Sequence, residues 1–283
     1  MFLGIDIGGT SVRVTAFADL ENHTRIGGDE FRVSREYGQD FESLLRSCEL
    51  MYGTYCEEYG GIEGIGLAIA GILDRGRTTL ARAGNTRQWV EQPFVHDLGE
   101  YLGCLPVLGN DAEAAAMAEA IYGNPDGDDF WFVIWGTGVG GALLRNIKGQ
   151  PVPLAGEMGH QLACKPKGRE CACGQFDCLE AYCGGDMIRK YEGVPAEELG
   201  SMRWGMVLEY MASGLHSIVA IHPVPKVYFG GGIAAKQSQF IPVLEQMLRE
   251  ELQFVGAPSL ELSRFGESAG TVGALALLKS KLA

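Results

Sequence analysis

One histidine, three closely spaced cysteines beside a fourth, Cys164, and four carboxylates lie within the stretch from Glu157 to Glu180, EMGHQLACKPKGRECACGQFDCLE. The three cysteines follow C-x-C-x4-C spacing, and glycine-rich or polar segments flank them, so their side chains can converge on one point. His160, Cys171, Cys173 and Cys178 would then supply one imidazole and three thiolates, the set that closes a tetrahedral structural zinc site. Four protein ligands leave no open position for a hydrolytic water. A disulfide or buried free thiols is the competing reading, because the chain has eight cysteines and cysteine is among the most buried residue types. Cys171 and Cys173 are too close in sequence for an easy mutual disulfide. Cys48, Cys56, Cys104, Cys164 and Cys183 lack ligand spacing and read as ordinary thiols.

Two further carboxylates sit where chemistry is plausible. Asp6 lies inside the first apolar run, just before Gly8, Gly9 and Thr10. Such a turn can present backbone N–H groups to phosphate, although a plain hairpin turn also explains the glycines. A carboxylate in a buried-looking strand is expensive unless it holds a cation or donors, and magnesium bound to a nucleotide is one such cation. Asp111 stands between the run LPVLGN and the Ala-rich AEAAAMAEAIYG. It reads both as a helix N-cap and as a general base at the carboxyl end of a strand, and the two roles are compatible. Asn110 beside it adds a donor and an acceptor. In the polar segment from Asp74 to Glu91, Asn85 and Trp89 are candidate ligand contacts or members of a solvated loop.

Periodicity and turn residues place the strands and helices around these groups. FLGIDIGGTSVRVTAF predicts a hairpin, Arg25 to Ser34 a third strand, and Phe41 to Tyr59 a helix whose Phe41, Leu44, Leu45, Cys48, Met51, Tyr52 and Tyr55 face the core. IEGIGLAIAG predicts a buried strand ending at Gly71, Phe94 to Leu102 a short helix, and LPVLGN a strand. After the turn-rich NPDGD, 124–128, the opening pattern returns in FWFVIWGTGVGGALLRNI. GTGVGG fits the dinucleotide-binding string, but that fingerprint must open a helix and ALLRNI continues as a strand. Two glycine hairpins, one early in each half, instead suggest a duplicated domain with a phosphate held between the halves. Arg203 to His222 predicts a helix, VYFGGGIAA a buried strand with a turn at Gly230 to Gly232, and Ser238 to Phe254 another helix. The last helix, from about Ser268, begins with small residues that allow close backbone packing.

The whole chain sets bounds on these readings. At 283 residues it suits two domains of ordinary size. A formal charge of -13 disfavours nucleic acid or an anionic membrane as partner, since either needs a basic face. The first nine residues lack a basic region, no run of about 18 apolar residues occurs, and the expected compartment is the reducing cytoplasm.

Taken in order, DIGGT at 6–10, ND at 110–111, GTGVGG at 136–141, EMGH at 157–160, CACGQFDCLE at 171–180 and GGG at 230–232 resemble the repressor, open reading frame, kinase (ROK) family over essentially the full length. The resemblance implies the actin-like, ribonuclease-H-like ATPase fold, two α/β domains with a cleft between them. The expected division is 1–109, 110–267 with the zinc motif, and 268–283 as a terminal helix packing back on the N-terminal domain. It further implies phosphoryl transfer from ATP, with Mg2+, to the 6-hydroxyl of a hexose, glucose first and N-acetylmannosamine or N-acetylglucosamine second. Asp111 would be the base, with Asp6, Gly8, Gly9, Thr10, Thr137 and Gly138 at the phosphates and Gly231 and Gly232 near the adenosine. Sugar contacts would fall on Gly71, Asn85, Asn110, Asp111, Glu157, His160 and Glu180, so that His160 touches both sugar and structural Zn2+. A homodimer or higher homo-oligomer is implied too. The chain departs from the family pattern at Asp177, where glycine is usual, and at Gly84 and Ala70, where proline is usual. A repressor of the family would carry a DNA-binding segment before the phosphate strand, for which a chain opening at that strand leaves no room. A catalytically silent sugar-sensing protein is the alternative of a different class.

Overall fold

In a computed structural model that describes residues 1–123 and 126–282, apolar runs broken by glycine turns build two sheets of the same design. The chain divides into two units, one of Met1–Pro125 with Ser268–Ala283 and one of Asp126–Glu267.

In the first unit, β1 (Phe2–Ile7) and β2 (Ser11–Phe17) pair antiparallel through the Gly8–Thr10 turn, and β3 (Arg25–Arg32) extends the hairpin. Helix α1 (Tyr37–Tyr59) comes next. Its Leu44, Cys48 and Met51 are buried as the spacing predicts, whereas Tyr52 is exposed, one step off the apolar stripe. β4 (Gly64–Ile69), buried at every residue, runs parallel to β1. The segment expected to be a loop contains a small ribbon, β5 (Ile72–Leu73) with β6 (Leu80–Arg82). Trp89 there has no exposed surface and packs edge-on against Tyr37 and Phe94, so it is a core residue and not a ligand contact. Helix α2 (Phe94–Leu102) leads to β7 (Val107–Asn110), parallel to β4, and α3 (Asp111–Ala118) begins at once. The sheet order is β3-β2-β1-β4-β7. Ile7 lies opposite Ile69 and Ile69 opposite Asn110, so three neighbouring parallel strands end level with one another. Gly8–Gly9, Ala70–Gly71 and Asp111, each just past one of those ends, are therefore gathered at the carboxyl edge, where open α/β sheets bind ligands.

The second unit repeats the plan. β8 (Phe130–Trp135), β9 (Val139–Ile147) and β10 (Gln150–Gly156) are antiparallel, and β11 (Lys226–Gly230) and β12 (Ser259–Leu262) continue in parallel, in the order β10-β9-β8-β11-β12. The glycine string at 136–141 runs straight into β9, so no helix opens there. Helices α4 (Glu180–Cys183), α5 (Gly185–Glu192), α6 (Ser201–Ile221), α7 (Gly232–Lys236) and α8 (Ile241–Glu251) complete the unit. Its core joins Val133, Trp135 and Phe229 of the sheet to Leu179, Met211, Leu215 and Leu244. Of the turn expected at NPDGD, Asn124 and Pro125 lie outside the described residues.

The chain then returns to the first unit as α9 (Ala269–Leu282). Leu3, Ile5, Ile65 and Leu67 enter the core shared with α1 and α2. Gly4 and Gly66, alternating with them, present bare backbone to α9 on the other face. A Cβ on Gly66 would lie 1.9 Å from the Ala274 carbonyl oxygen, and one on Gly273 2.1 Å from that of Ala114. α3 is bound to α9 by this contact, and the division falls after Pro125 and not at the expected 109/110.

Candidate active site and metal centre

The end of β7 is organised by a capping box. Asn110 is the N-cap of α3: its Oδ1 accepts from the N–H groups of Ala112 at 2.9 Å and Glu113 at 3.2 Å, and the Glu113 carboxylate accepts from the Asn110 N–H at 3.3 Å. Asp111 is thus the first helical residue and not the cap, which corrects the capping half of its sequence reading. Its carboxylate is half-buried at the strand's carboxyl edge, the place and the group a general base requires. Asn110 is 7% exposed, and its Nδ2 donates to the Gly71 carbonyl at 2.9 Å. With both acceptor sites and one N–H engaged, it can offer a ligand a single N–H. Gly71 itself has φ +128, a conformation that a side chain would strain.

Beside this edge lies the first glycine turn. Gly9 is needed there because a Cβ would sit 2.7 Å from Cβ of Asn85, so the structure brings the phosphate-turn and sugar-loop candidates together. Asn85 is exposed, and its neighbour Thr86 is fully buried and donates to the Ala70 carbonyl at 2.7 Å, tying the loop to the end of β4. Thr10 is exposed at the tip of the turn. Asp6 is packed against Gly270, where a Cβ would meet its carboxylate at 2.3 Å. Burial raises its pKa to about 6, against the lowering pull of Arg13, whose guanidinium is 4.0 Å away, and with a further rise from Glu30. A carboxylate so placed fits a cation beside the turn's amides.

In the second unit the turn Gly136–Gly138 and the turn Gly230–Gly232 come after the ends of neighbouring parallel strands, with Ile134 opposite Gly230. They touch: a Cβ on Gly136 would lie 3.3 Å from the Gly232 nitrogen, and Gly231, at φ +92, sits against the Trp135 carbonyl. The Gly136 and Thr137 carbonyls accept from the Gly185 and Asp186 N–H groups at 2.9 and 3.0 Å, pinning the turn to α5 and leaving the Thr137 side chain exposed. Glu180 lies behind the turn. Its Oε2 accepts from the Val139 N–H at 2.9 Å and would be 2.5 Å from a Cβ on Gly138.

The other oxygen of Glu180 leads to the metal motif, 3.5 Å from the Cys171 Sγ. One ligand atom each from His160, Cys171, Cys173 and Cys178 falls within 4.8 Å of all the others. Cys171 Sγ to His160 Nδ1 and Cys173 Sγ to Cys178 Sγ are both 3.7 Å. Zinc–sulfur and zinc–nitrogen bonds of about 2.3 and 2.0 Å in a tetrahedron give ligand separations of roughly 3.5–3.8 Å, so the donor set fits zinc. All eight cysteines are free thiols. Burial pushes the Cys178 thiol up to about 11, and that of Cys171 higher still, so these thiols need a cation to become thiolates. With Nδ1 towards the thiols, His160 turns Nε2 to the Glu157 carboxylate, 3.9 Å away, and Glu157 is exposed. Gly159 lets this turn lie on β9, since a Cβ would meet the Val139 carbonyl oxygen at 2.0 Å.

Asp177 occupies a left-handed position, φ +58, that usually favours glycine. Its Oδ1 accepts the N–H groups of Lys167, Gly168 and Arg169 at 2.8–3.1 Å and the Tyr182 hydroxyl. The side chain thereby braces the loop, with its carboxyl held below its ordinary pKa chiefly by the Tyr182 hydroxyl. Sequence reasoning missed Glu113, although N-x-x-E at 110–113 is a capping-box signal.

The sequence matches the family model described as ROK family over residues 2–281. It is 26% identical to an N-acetylgalactosamine kinase of Shewanella sp. strain ANA-3, covering 98% of this chain and 96% of the relative. Identity to an N-acetyl-D-glucosamine kinase of Mannheimia succiniciproducens is 27%, covering 99% of this chain and all of that protein. Among solved structures, a ROK hexokinase of Thermus thermophilus superposes with a TM-score of 0.78 at 26% identity, over 99% of this chain and 98% of that one.

Proposed function

The chain belongs to the ROK family, and on that premise we propose that it is an ATP-dependent sugar kinase in which Asp111 takes the proton from the 6-hydroxyl of a hexose. The observation that carries this reading is the carboxylate of Asp111 at the end of β7, with the capping of α3 assigned to Asn110. Phosphoryl transfer asks little covalent chemistry of a protein; it needs positioning, charge stabilisation and one acceptor for the hydroxyl proton. In the first unit the amides around Gly8, Gly9 and Thr10 would bind phosphate oxygens, and Asn85, Gly71 and Asn110 would orient the sugar beside Asp111. In the second unit Thr137 and Gly138 would bind phosphate, Gly231 and Gly232 would face the adenosine, and Glu157, His160 and Glu180 would serve the sugar hydroxyls. Asp6 would hold magnesium, which neutralises phosphate charge when bound. His160, Cys171, Cys173 and Cys178 would hold zinc, a structural cross-link that fixes the ring of His160.

The Shewanella and Mannheimia relatives act on acetylated amino sugars, which supports an N-acetylhexosamine as the substrate. Glucose is the second reading, favoured by the polar side chains of Asn110, Asp111, Glu157, His160 and Glu180, which would suit a ring of hydroxyls. A panel of glucose, mannose, N-acetylglucosamine, N-acetylgalactosamine and N-acetylmannosamine with MgATP tests both. The acetylated reading fails if glucose gives the highest kcat/KM. If no sugar is phosphorylated the kinase reading fails, and a silent sugar-sensing role takes its place. We propose a homodimer or higher homo-oligomer as the working state, to be checked by mass in solution; a monomer at assay concentration refutes it.

A further inference from the structure

Arg77 stands out because its conformation is costly and its contacts are expensive to break. It lies in a tight turn that Asp74 builds: the Asp74 carboxylate accepts the N–H groups of Gly76, Thr78 and Thr79 at 2.7–2.8 Å. These bonds, those of Thr79 and Thr78 foremost, draw the carboxyl down to a pKa of about 2. At the tip Arg77 takes φ +54, in the left-handed region that non-glycine residues adopt uncommonly. Its side chain is held by Glu113. Arg77 Nη1 and Nη2 donate to the two carboxylate oxygens at 2.6 and 2.8 Å, a bidentate pair with Glu113 only 3% exposed.

Glu113 is also the residue that completes the cap of α3. One of its oxygens accepts from both Arg77 and the Asn110 N–H, and Asn110 in turn donates to Gly71, from which β5 runs back to Asp74. The links form a closed circuit: Gly71, the Asp74 turn, Arg77, Glu113, Asn110 and back to Gly71. Asp111 lies between two members of that circuit in sequence, as the first residue of the helix it fixes. The pair is charge-assisted and partly desolvated, so removing Arg77 would take two charge-assisted bonds from a buried carboxylate.

We infer that Arg77 is a positioning residue for the reaction: through Glu113 it fixes the Asn110 cap and hence the direction of the Asp111 carboxylate. The inference rests on Asp111 being the base. It does not place Arg77 on the sugar or the nucleotide. Loss of Arg77 should therefore slow turnover while leaving the nucleotide's binding untouched, because a base displaced by about 1 Å can cost up to 10²-fold.

Steady-state kinetics of the full chain with its best sugar from the panel give the test, using wild type, Asp111→Asn, Arg77→Met and Arg77→Lys. Arg77→Met is expected to lower kcat by roughly ten- to a hundredfold with the KM for ATP within about twofold of wild type, and Arg77→Lys, which keeps the charge but not the fork, to recover part of the loss. A folded Arg77→Met whose kcat stays within about threefold of wild type overturns the inference, as does a fall in thermal midpoint with no change in kcat. Should Arg77→Met not fold, Arg77→Lys and Glu113→Gln, which keep volume and a hydrogen bond, decide it: reduced kcat at unchanged KM for ATP supports positioning, and unchanged kcat in both refutes it. If Asp111→Asn is inactive while Arg77→Met is not impaired, this inference alone falls. A wild type inactive on every sugar, or an Asp111→Asn as fast as wild type, removes the proposed base and this inference with it.

Discussion

At the Asp111 position, base and cap are separable because two adjacent residues divide the work. Asn110 is the N-cap of α3, and Asp111, the first helical residue, accepts the Ala112 N–H on Oδ1 at 2.9 Å, a bond that an amide oxygen can keep. Asp111→Asn is therefore expected to keep its thermal midpoint and lose about 10²–10⁴ in kcat. Asn110→Ala should instead cost about 1 kcal/mol of stability, the usual worth of a cap. Thermal melts set beside kinetics check both, and turnover near wild type in Asp111→Asn would falsify the base assignment. Asp6 makes a prediction of a different kind. Burial lifts its folded pKa to about 6 from an ordinary 3.8. A carboxyl with a raised folded pKa binds its proton more tightly in the fold, so folding stability from this group falls as pH rises from about 4 to 6. Magnesium needs the ionised form. Its apparent affinity should thus be flat above about pH 6 and fall below it, towards tenfold per pH unit. Titrating magnesium at several pH values tests this, and a flat profile between pH 5 and 7 would count against Asp6 as the ligand.

Helices, strands and loops differ in how far their placement was legible in the sequence. β1, β2, β4, β8 and α6 announce themselves by period and by glycine, and the four candidate donors His160, Cys171, Cys173 and Cys178 by spacing. β10 and β12 gave no such signal. β10 carries two prolines and ends half exposed at the sheet's edge, and β12 is four residues long, so neither shows a clean alternation. Trp89 was misplaced for a related reason: a polar segment gave no hint that its one large aromatic folds back into the core. The metal loop itself carries the next prediction. Four donor atoms within 4.8 Å of one another, with two buried thiols reluctant to ionise unaided, predict about one zinc per chain in protein purified under reducing conditions without chelator. Removing the zinc should lower the thermal midpoint and raise the KM for sugar through His160. Elemental analysis that finds no zinc sinks the proposal. α9 gives a packing prediction: Gly66→Ala drives a methyl into the Ala274 carbonyl and should cost about 3 kcal/mol or more, beyond ordinary overpacking because backbone cannot yield. A melt within a degree or two of wild type would show that α9 can retreat.

On the scale of the whole molecule, the same five-stranded order occurs twice, and the two copies differ in how the chain completes them. The second unit is one continuous segment, Asp126–Glu267, whereas the first is interrupted and finished by α9. That helix is buried along nearly its whole length, from Ala269 to Leu278. It meets β1, β4 and α3 through glycines, and Gly270 bears directly on Asp6. The first unit therefore cannot bury the α9-facing side of its sheet until residues 268–282 are made, while the second already has its own core. Ending the chain at Ser268 should strip Asp6 of its packing and leave β1 and β4 uncovered, abolishing phosphorylation. The metal motif lies wholly in the second unit, so the shortened chain should still bind about one zinc. Zinc content and sugar-dependent ADP release, measured on the same preparation, read the two units separately. Retained turnover would show that α9 is dispensable, and loss of zinc together with turnover would show that the second unit does not stand on its own core.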